Sequence, residues 1–221
     1  MAKQFSTAGY AITPPLLTTV ECMAIVTRLG EQTGIGTRNM LQSAWCVALA
    51  RDLAGHPSLA PVMPLAAVAV QCTLFEKSPV QNWLVPLHQD YSIPVASRVN
   101  DPSLHGWSRK EGTLFVQPPA AVLEELVAVR IQLDDCNDGE GALRVVAGSH
   151  TFGRLDDATA YALRDRAGET HCLVPHGAAM VMRPLLLHAS AKLTTPITRR
   201  VLHFLFGPRN LPLGLEWALA V

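Results

Sequence analysis

From Ala66 onward the chain is a succession of short apolar runs, each closed by a polar or glycine-containing segment. The runs are Ala66–Phe75, Val127–Leu133, Ala142–Val146, Ala178–His188 and Arg199–Phe206. Their length and their content of Val, Ile, Leu and Phe read as buried strands. The polar stretch DDCNDGEG reads as the turn between the second and third.

The residues before this body read as helices. Thr18 and Glu21 fit a capping box for a helix ending near Leu29. GEQTGIGT then reads as a loop. Leu41, Trp45, Ala48, Leu49 and Leu53 recur at helical spacing over Asn39–Ala54, with Gly55 placed to stop it. Asn100–Pro119 reads as a long loop, a candidate lid. Ala120–Leu126 reads as a short helical turn and Asp156–Arg166 as a surface helix. Helices first, then many short strands, predict a mainly β fold with flanking helices: a jelly roll with helices on one sheet. The 221 residues fit a single domain, with a helical preface over 1–60 and a jelly-roll body over 61–221.

Composition narrows the function. Hydrophobic residues make up 49% of the chain and charged ones 16%, enough for a large core, and the net charge is zero. No basic face marks a nucleic-acid partner, and no apolar run is long enough for a membrane span. The five cysteines are scattered and odd in number, and none forms a CxxC. That pattern argues for a reducing, cytoplasmic setting and against a disulfide framework or a zinc site.

The chemistry lies in three residues. His88 and Asp90 are two apart, so on a strand both side chains point to one side. His188 ends a separate apolar run. Together they form the donor set of a two-histidine, one-carboxylate facial triad, which leaves positions open on Fe(II). A lone HxD is a weak signal; its company raises it. Arg199 lies eleven residues beyond His188 and opens the last apolar run.

The segments HQD at 88–90, GALRVVAGSH at 141–150, RPLLLHAS at 183–190 and RRVLHF at 199–204 resemble, in order and spacing, the phytanoyl-CoA dioxygenase family. The resemblance runs from about Gly9 to the C-terminal end. Two departures are Ala147, where the family usually has Pro, and Glu140, where Asn is common. Neither is a ligand position.

The resemblance implies a double-stranded β-helix, cupin-like core, with His88, Asp90 and His188 holding Fe(II). It implies 2-oxoglutarate and O2 as co-substrates, with succinate and CO2 released as a C–H bond of a small molecule is oxidised. Asp90 favours hydroxylation, or another oxidation, over halogenation, since related halogenases replace that carboxylate with a small residue. The far carboxylate of 2-oxoglutarate needs a cation, and the planar fork of arginine suits it. The family spacing selects Arg199, and strand alternation turns Arg200 outward. Ser190 matches a position whose hydroxyl touches the same carboxylate. Gln71 and Thr73 share the strand face that lines the co-substrate pocket.

Trp83, Trp107, Gln117 and Arg130 are candidate substrate contacts. Arg130 sits in the apolar run LVAVRIQL, where an unpaired charge is costly. It suits an anionic substrate, the co-substrate, or an internal acidic partner. His203 reads as a satisfied core residue, His150 as a turn residue and Lys77 as structural or solvated. The competing reading is a non-catalytic cupin-like binding module, for which an open metal position has no evident use.

Overall fold

The computed structural model describes residues 1–30, 36–135 and 141–221. In chain order its elements are α1 (Ala2–Ala8), β1 (Tyr10–Pro15), α2 (Thr19–Leu29), β2 (Gly36–Thr37), α3 (Ala44–Ala54), β3 (Val68–Lys77), β4 (Val85–His88), β5 (Ile93–Val95), β6 (His105–Lys110), β7 (Thr113–Gln117), α4 (Ala120–Glu124), β8 (Val127–Gln132), β9 (Leu143–Val145), α5 (Asp157–Ala167), β10 (Thr170–Cys172), β11 (Ala178–Met182), β12 (His188–Ser190) and β13 (Arg199–Gly207).

They form a jelly roll. The large sheet runs β1-β11-β8-β13-β3-β2 and the smaller one β10-β9-β12-β4, with every strand pair antiparallel. A third sheet, β5-β7-β6, stands beside them.

Strand alternation divides the large sheet into two faces. On β13, Leu202, Phe204 and Phe206 face outward and join Cys72 and Leu74 of β3 in one core. Helices α2 and α3 cover that core with Cys22, Ile25, Leu29, Cys46, Leu49 and Leu53. Truncating Phe204, which is fully buried, to Ala would cost about 3–5 kcal/mol. The other face of the same strands carries Gln71, Thr73, Phe75, Lys77, Arg130, Arg199 and His203, all lining one interior pocket. Below the pocket, Met180 and Met182 of the large sheet pack on Leu143, Val145 and Cys172 of the smaller one, which seals that end.

Helix α2 starts as read: Thr18 accepts from the Glu21 N–H and Glu21 accepts from the Thr18 N–H. Several boundaries differ from the sequence reading. The preface over 1–60 is not purely helical. Its residues Tyr10–Pro15 form β1, an edge strand of the large sheet paired to β11. The Asn39–Ala54 helix is a single 3-10 turn at Met40–Gln42 followed by α3.

The Asn100–Pro119 loop contains the hairpin β6–β7. Its two turn residues, Glu111 and Gly112, have φ of 48° and 81°, as the tight hairpin turn requires. Strand β6 (HGWSRK) is mostly exposed and polar, so it has no apolar period to betray it. The Ala178–His188 run is two strands, because the chain turns at Arg183–Pro184, where Pro cannot continue the ladder.

The expected loop at 30–37 and the turn at 134–141 fall largely on residues 31–35 and 136–140, outside the described residues, as do Cys136 and Glu140. Cys22, Cys46, Cys72 and Cys172 are buried thiols. Among the described residues no helix is long and apolar enough to cross a membrane.

Candidate metal centre and its pocket

His88 ends β4 and His188 opens β12, and the two are direct partners across the antiparallel ladder. Their rings therefore meet, with centroids 4.1 Å apart. Asp90 lies just past the end of β4. Its backbone N–H donates to Pro184 O at 2.9 Å, which hooks this segment to the turn that leads into His188. The Asp90 carboxylate bridges the pair, with Oδ1 3.7 Å from His88 Nε2 and Oδ2 3.7 Å from His188 Nε2. The three ligand atoms all lie within 4.8 Å of one another.

Each imidazole is oriented by its other nitrogen. His88 Nδ1 donates to Pro86 O and His188 Nδ1 donates to Leu186 O, both at 2.8 Å. A proton held on Nδ1 leaves the Nε2 lone pair directed at the shared centre, the arrangement that metal-bound histidines use. Burial pushes His188 down to about 4, so it is a neutral ligand at ordinary pH. Burial alone would raise Asp90, but His188, His203, His88 and Arg130 outweigh it and hold the carboxyl below its usual range. Two imidazoles with satisfied Nδ1 protons and one carboxylate fit a divalent transition metal.

Gln89, between two of the candidate ligands, points the other way. Its side chain is buried, donates to Gly153 O and Leu185 O, and accepts from Leu155 N–H and the Tyr91 hydroxyl. It ties the His88–Asp90 segment to the turn before His188.

The large sheet supplies the polar wall. Arg199 is 6% exposed and faces the pocket, while Arg200 turns away to pair with Asp134 at 3.0 Å. Ser190 lines the pocket from β12. Its hydroxyl accepts from Lys77 Nζ at 2.8 Å, and Lys77 also donates to Ala191 O at 2.6 Å. Lys77, read as structural or solvated, is buried at the pocket wall. Burial, Arg199 and Arg130 together push it down to about 7. The signal was present: Gln71, Thr73, Phe75 and Lys77 follow the two-residue period of one strand face.

Gln71 and Thr73 both line the pocket, joined by a 2.8 Å bond from Gln71 Nε2 to Thr73 Oγ1. His203 is satisfied, accepting from Arg130 Nη1 at 2.7 Å, yet it faces the pocket rather than the core. Trp83, Gln117 and Arg130 reach the pocket too. Trp107 does not. It packs on the apolar cluster under the third sheet and carries Arg98 on its ring at 5.2 Å. The exposed register of β6 turns it away from the barrel interior. The pocket encloses about 390 Å³.

The model of the phytanoyl-CoA dioxygenase family matches residues 5–201. The chain belongs to that family. No curated protein matches it. Solved structures do. The epimerase SnoN, in complex with Fe3+, alpha ketoglutarate and nogalamycin RO, superposes at a TM-score of 0.68 with 16% identity, over 96% of this chain and 85% of SnoN. HygX from Streptomyces hygroscopicus, with nickel and 2-oxoglutarate bound, gives 0.63 and 19% over 94% and 87%. EctD from S. alaskensis, in its apoform, gives 0.68 and 17% over 99% and 82%. At these identities the likeness establishes the fold, the jelly roll of non-haem iron, 2-oxoglutarate-dependent enzymes.

Proposed function

We propose that this protein is an Fe(II)- and 2-oxoglutarate-dependent oxygenase that hydroxylates a C–H bond of a small molecule and releases succinate and CO2. The observation that carries the reading is the convergence of His88 Nε2, His188 Nε2 and the Asp90 carboxylate, with Arg199 and Lys77 buried on the facing wall. Family membership supports it.

His88, Asp90 and His188 would hold the iron, and the bound iron with 2-oxoglutarate and O2 would supply the oxidising power. The chain's own contribution is positioning. Pro86 and Leu186 carbonyls keep the Nδ1 protons in place. Arg199 and Lys77 offer the far carboxylate of 2-oxoglutarate two cations, and Ser190 adds a hydroxyl to the same end. Gln71 and Thr73 complete the polar lining. Phe75, Leu123, Leu126 and Leu205 line the pocket with apolar surface that limits water near the reacting groups. Retention of Asp90 supports hydroxylation over halogenation.

The test is anaerobic titration with Fe(II) and 2-oxoglutarate, following the weak visible charge-transfer band, together with succinate formation in air. The expected band is absent in His88→Ala and needs at least tenfold more 2-oxoglutarate in Arg199→Ala. No band at saturation in the unaltered protein overturns the reading.

A further inference from the structure

The cofactor reading occupies Arg199, Lys77 and Ser190 and leaves Arg130 without a task. Arg130 faces inward from the middle of β8, level with His203 on β13 and Met180 on β11. It is fixed on two sides. Nη1 donates to His203 Nδ1 at 2.7 Å, and the guanidinium carbon lies 5.5 Å from the centre of the Phe75 ring. Phe75 in turn meets His203 edge-on at 5.9 Å. A guanidinium has five N–H donors, so most of the fork remains for another acceptor.

Among the described residues no ion pair joins Arg130 to a carboxylate. Burial and Arg199 lower it only to about 10, so it is a cation at neutral pH. A half-buried cation with no ion-pair partner is costly, and its side-chain order is already imposed. Both conditions suit an anion that arrives from solution.

The pocket's charge balance points the same way. Its lining includes Lys77, Lys110, Arg130 and Arg199, besides Arg38 that pairs with Glu111, against Asp90 alone. In the proposed function one carboxylate of 2-oxoglutarate goes to Arg199 and the other to the metal. Neither is left for Arg130. Lys110, on the β6–β7 hairpin, is a further cation of the lining that the cofactor reading does not use. A planar fork pairs in two-toothed fashion with a carboxylate. A pocket of about 390 Å³, shared with the co-substrate, admits only a small partner.

We infer that Arg130, braced by His203 and Phe75, binds a carboxylate of the primary substrate, which is therefore a small organic acid. This inference rests on the proposed function for the site.

The experiment is calorimetric titration of the protein loaded with Mn(II) and 2-oxoglutarate. The probes are acetate, benzoate and phenyl phosphate, with acetamide and benzamide as neutral counterparts. At least one carboxylate is expected to bind tenfold or more tightly than its amide. Arg130→Gln erases that preference and shifts half-saturation by 2-oxoglutarate less than twofold. Arg130→Lys, which keeps the charge without the fork, retains part of it.

Three results overturn the inference: no carboxylate preferred over its amide, a tenfold loss of 2-oxoglutarate affinity in Arg130→Gln with probe binding intact, or phenyl phosphate held more tightly than both carboxylates. Failure of Mn(II) and 2-oxoglutarate to load at all is a failure of the proposed function instead. The same probes on the metal-free protein then still decide the role of Arg130.

Discussion

Lys77 and Arg199 are direct partners across the β3–β13 ladder, and both side chains are buried on the inner face of the large sheet. Like charges directly opposite one another on a sheet destabilise it. The arrangement becomes favourable when an anion sits between them, which is the place proposed for the far carboxylate of 2-oxoglutarate. Lys77→Met would remove one charge-assisted bond, worth about 1.5–3 kcal/mol. Half-saturating 2-oxoglutarate is therefore expected to rise about tenfold to a hundredfold in the band titration. The gain in melting temperature that 2-oxoglutarate gives the metal-loaded protein should shrink in step.

The same lysine sets a pH dependence. Burial, Arg199 and Arg130 hold Lys77 down to about 7 in the folded chain, against about 10.4 when unfolded. Between these values the unfolded state binds more protons than the folded one. By linkage, the ligand-free protein gains stability from this group as pH rises from about 7 toward 10. An arriving dianion favours the charged amine, so binding at pH 8 should take up a fraction of a proton. Calorimetry in two buffers of different ionisation enthalpy reads that uptake. Lys77→Met should abolish it, and an unchanged proton count in that variant would exclude Lys77 as the source.

Gln89 is expected to act as a positioning residue for the metal site. Gln89→Leu keeps the volume but leaves Gly153 O and Leu185 O without their amide donor, while Leu155 N–H and the Tyr91 hydroxyl keep the bonds between Tyr91 and Leu155. Each buried group so stranded costs about 1–3 kcal/mol unless it finds water. A net loss on the order of 3 kcal/mol is expected on denaturation of the metal-free protein. Metal affinity should fall about tenfold to a hundredfold, the usual effect of removing an orienting group. Gln89→Glu, which keeps the acceptor to Leu155 N–H, should fall between the two.

Much of this site was legible because its signals are local and periodic. His88 and Asp90 declare themselves by spacing, and Arg199 and Arg200 by strand alternation. The apolar runs gave the strands of the large sheet nearly to the residue at Val127–Gln132 and Arg199–Gly207. The rest depends on contacts remote in sequence. Strand β1 is recruited by β11, some 170 residues away. Lys77 is drawn inward by Ser190 and Ala191 on another sheet. Strand β6 has no apolar face, because its neighbour β7 carries the packing, with Leu114, Phe115 and Val116 buried. The same exposure explains why Trp107, a plausible pocket residue by type, lies outside the pocket.

The β6–β7 hairpin brings Lys110, Phe115 and Gln117 to the pocket, and its tip is tied to the chain before α3. Glu111 accepts from the Arg38 backbone N–H at 2.8 Å and from Arg38 Nη1 at 3.1 Å, while its own carbonyl accepts from Asn39 Nδ2 at 3.1 Å. Glu111 also occupies a left-handed turn position, with φ 48°. Asn is favoured there, so Glu111→Asn removes the long carboxylate tether without adding turn strain. Because Arg38 and Glu111 are each about one-third exposed, the tether is expected to contribute about 0.2–1 kcal/mol. Amide exchange over residues 105–117 should therefore quicken by up to about fivefold. Mn(II) affinity should stay the same, since none of the three candidate ligands lies on the hairpin. Release of 2-oxoglutarate from the metal-loaded protein, followed by stopped flow, should quicken by a similar factor if hairpin opening gates the pocket. Faster exchange with unchanged release would mean the hairpin moves without controlling access.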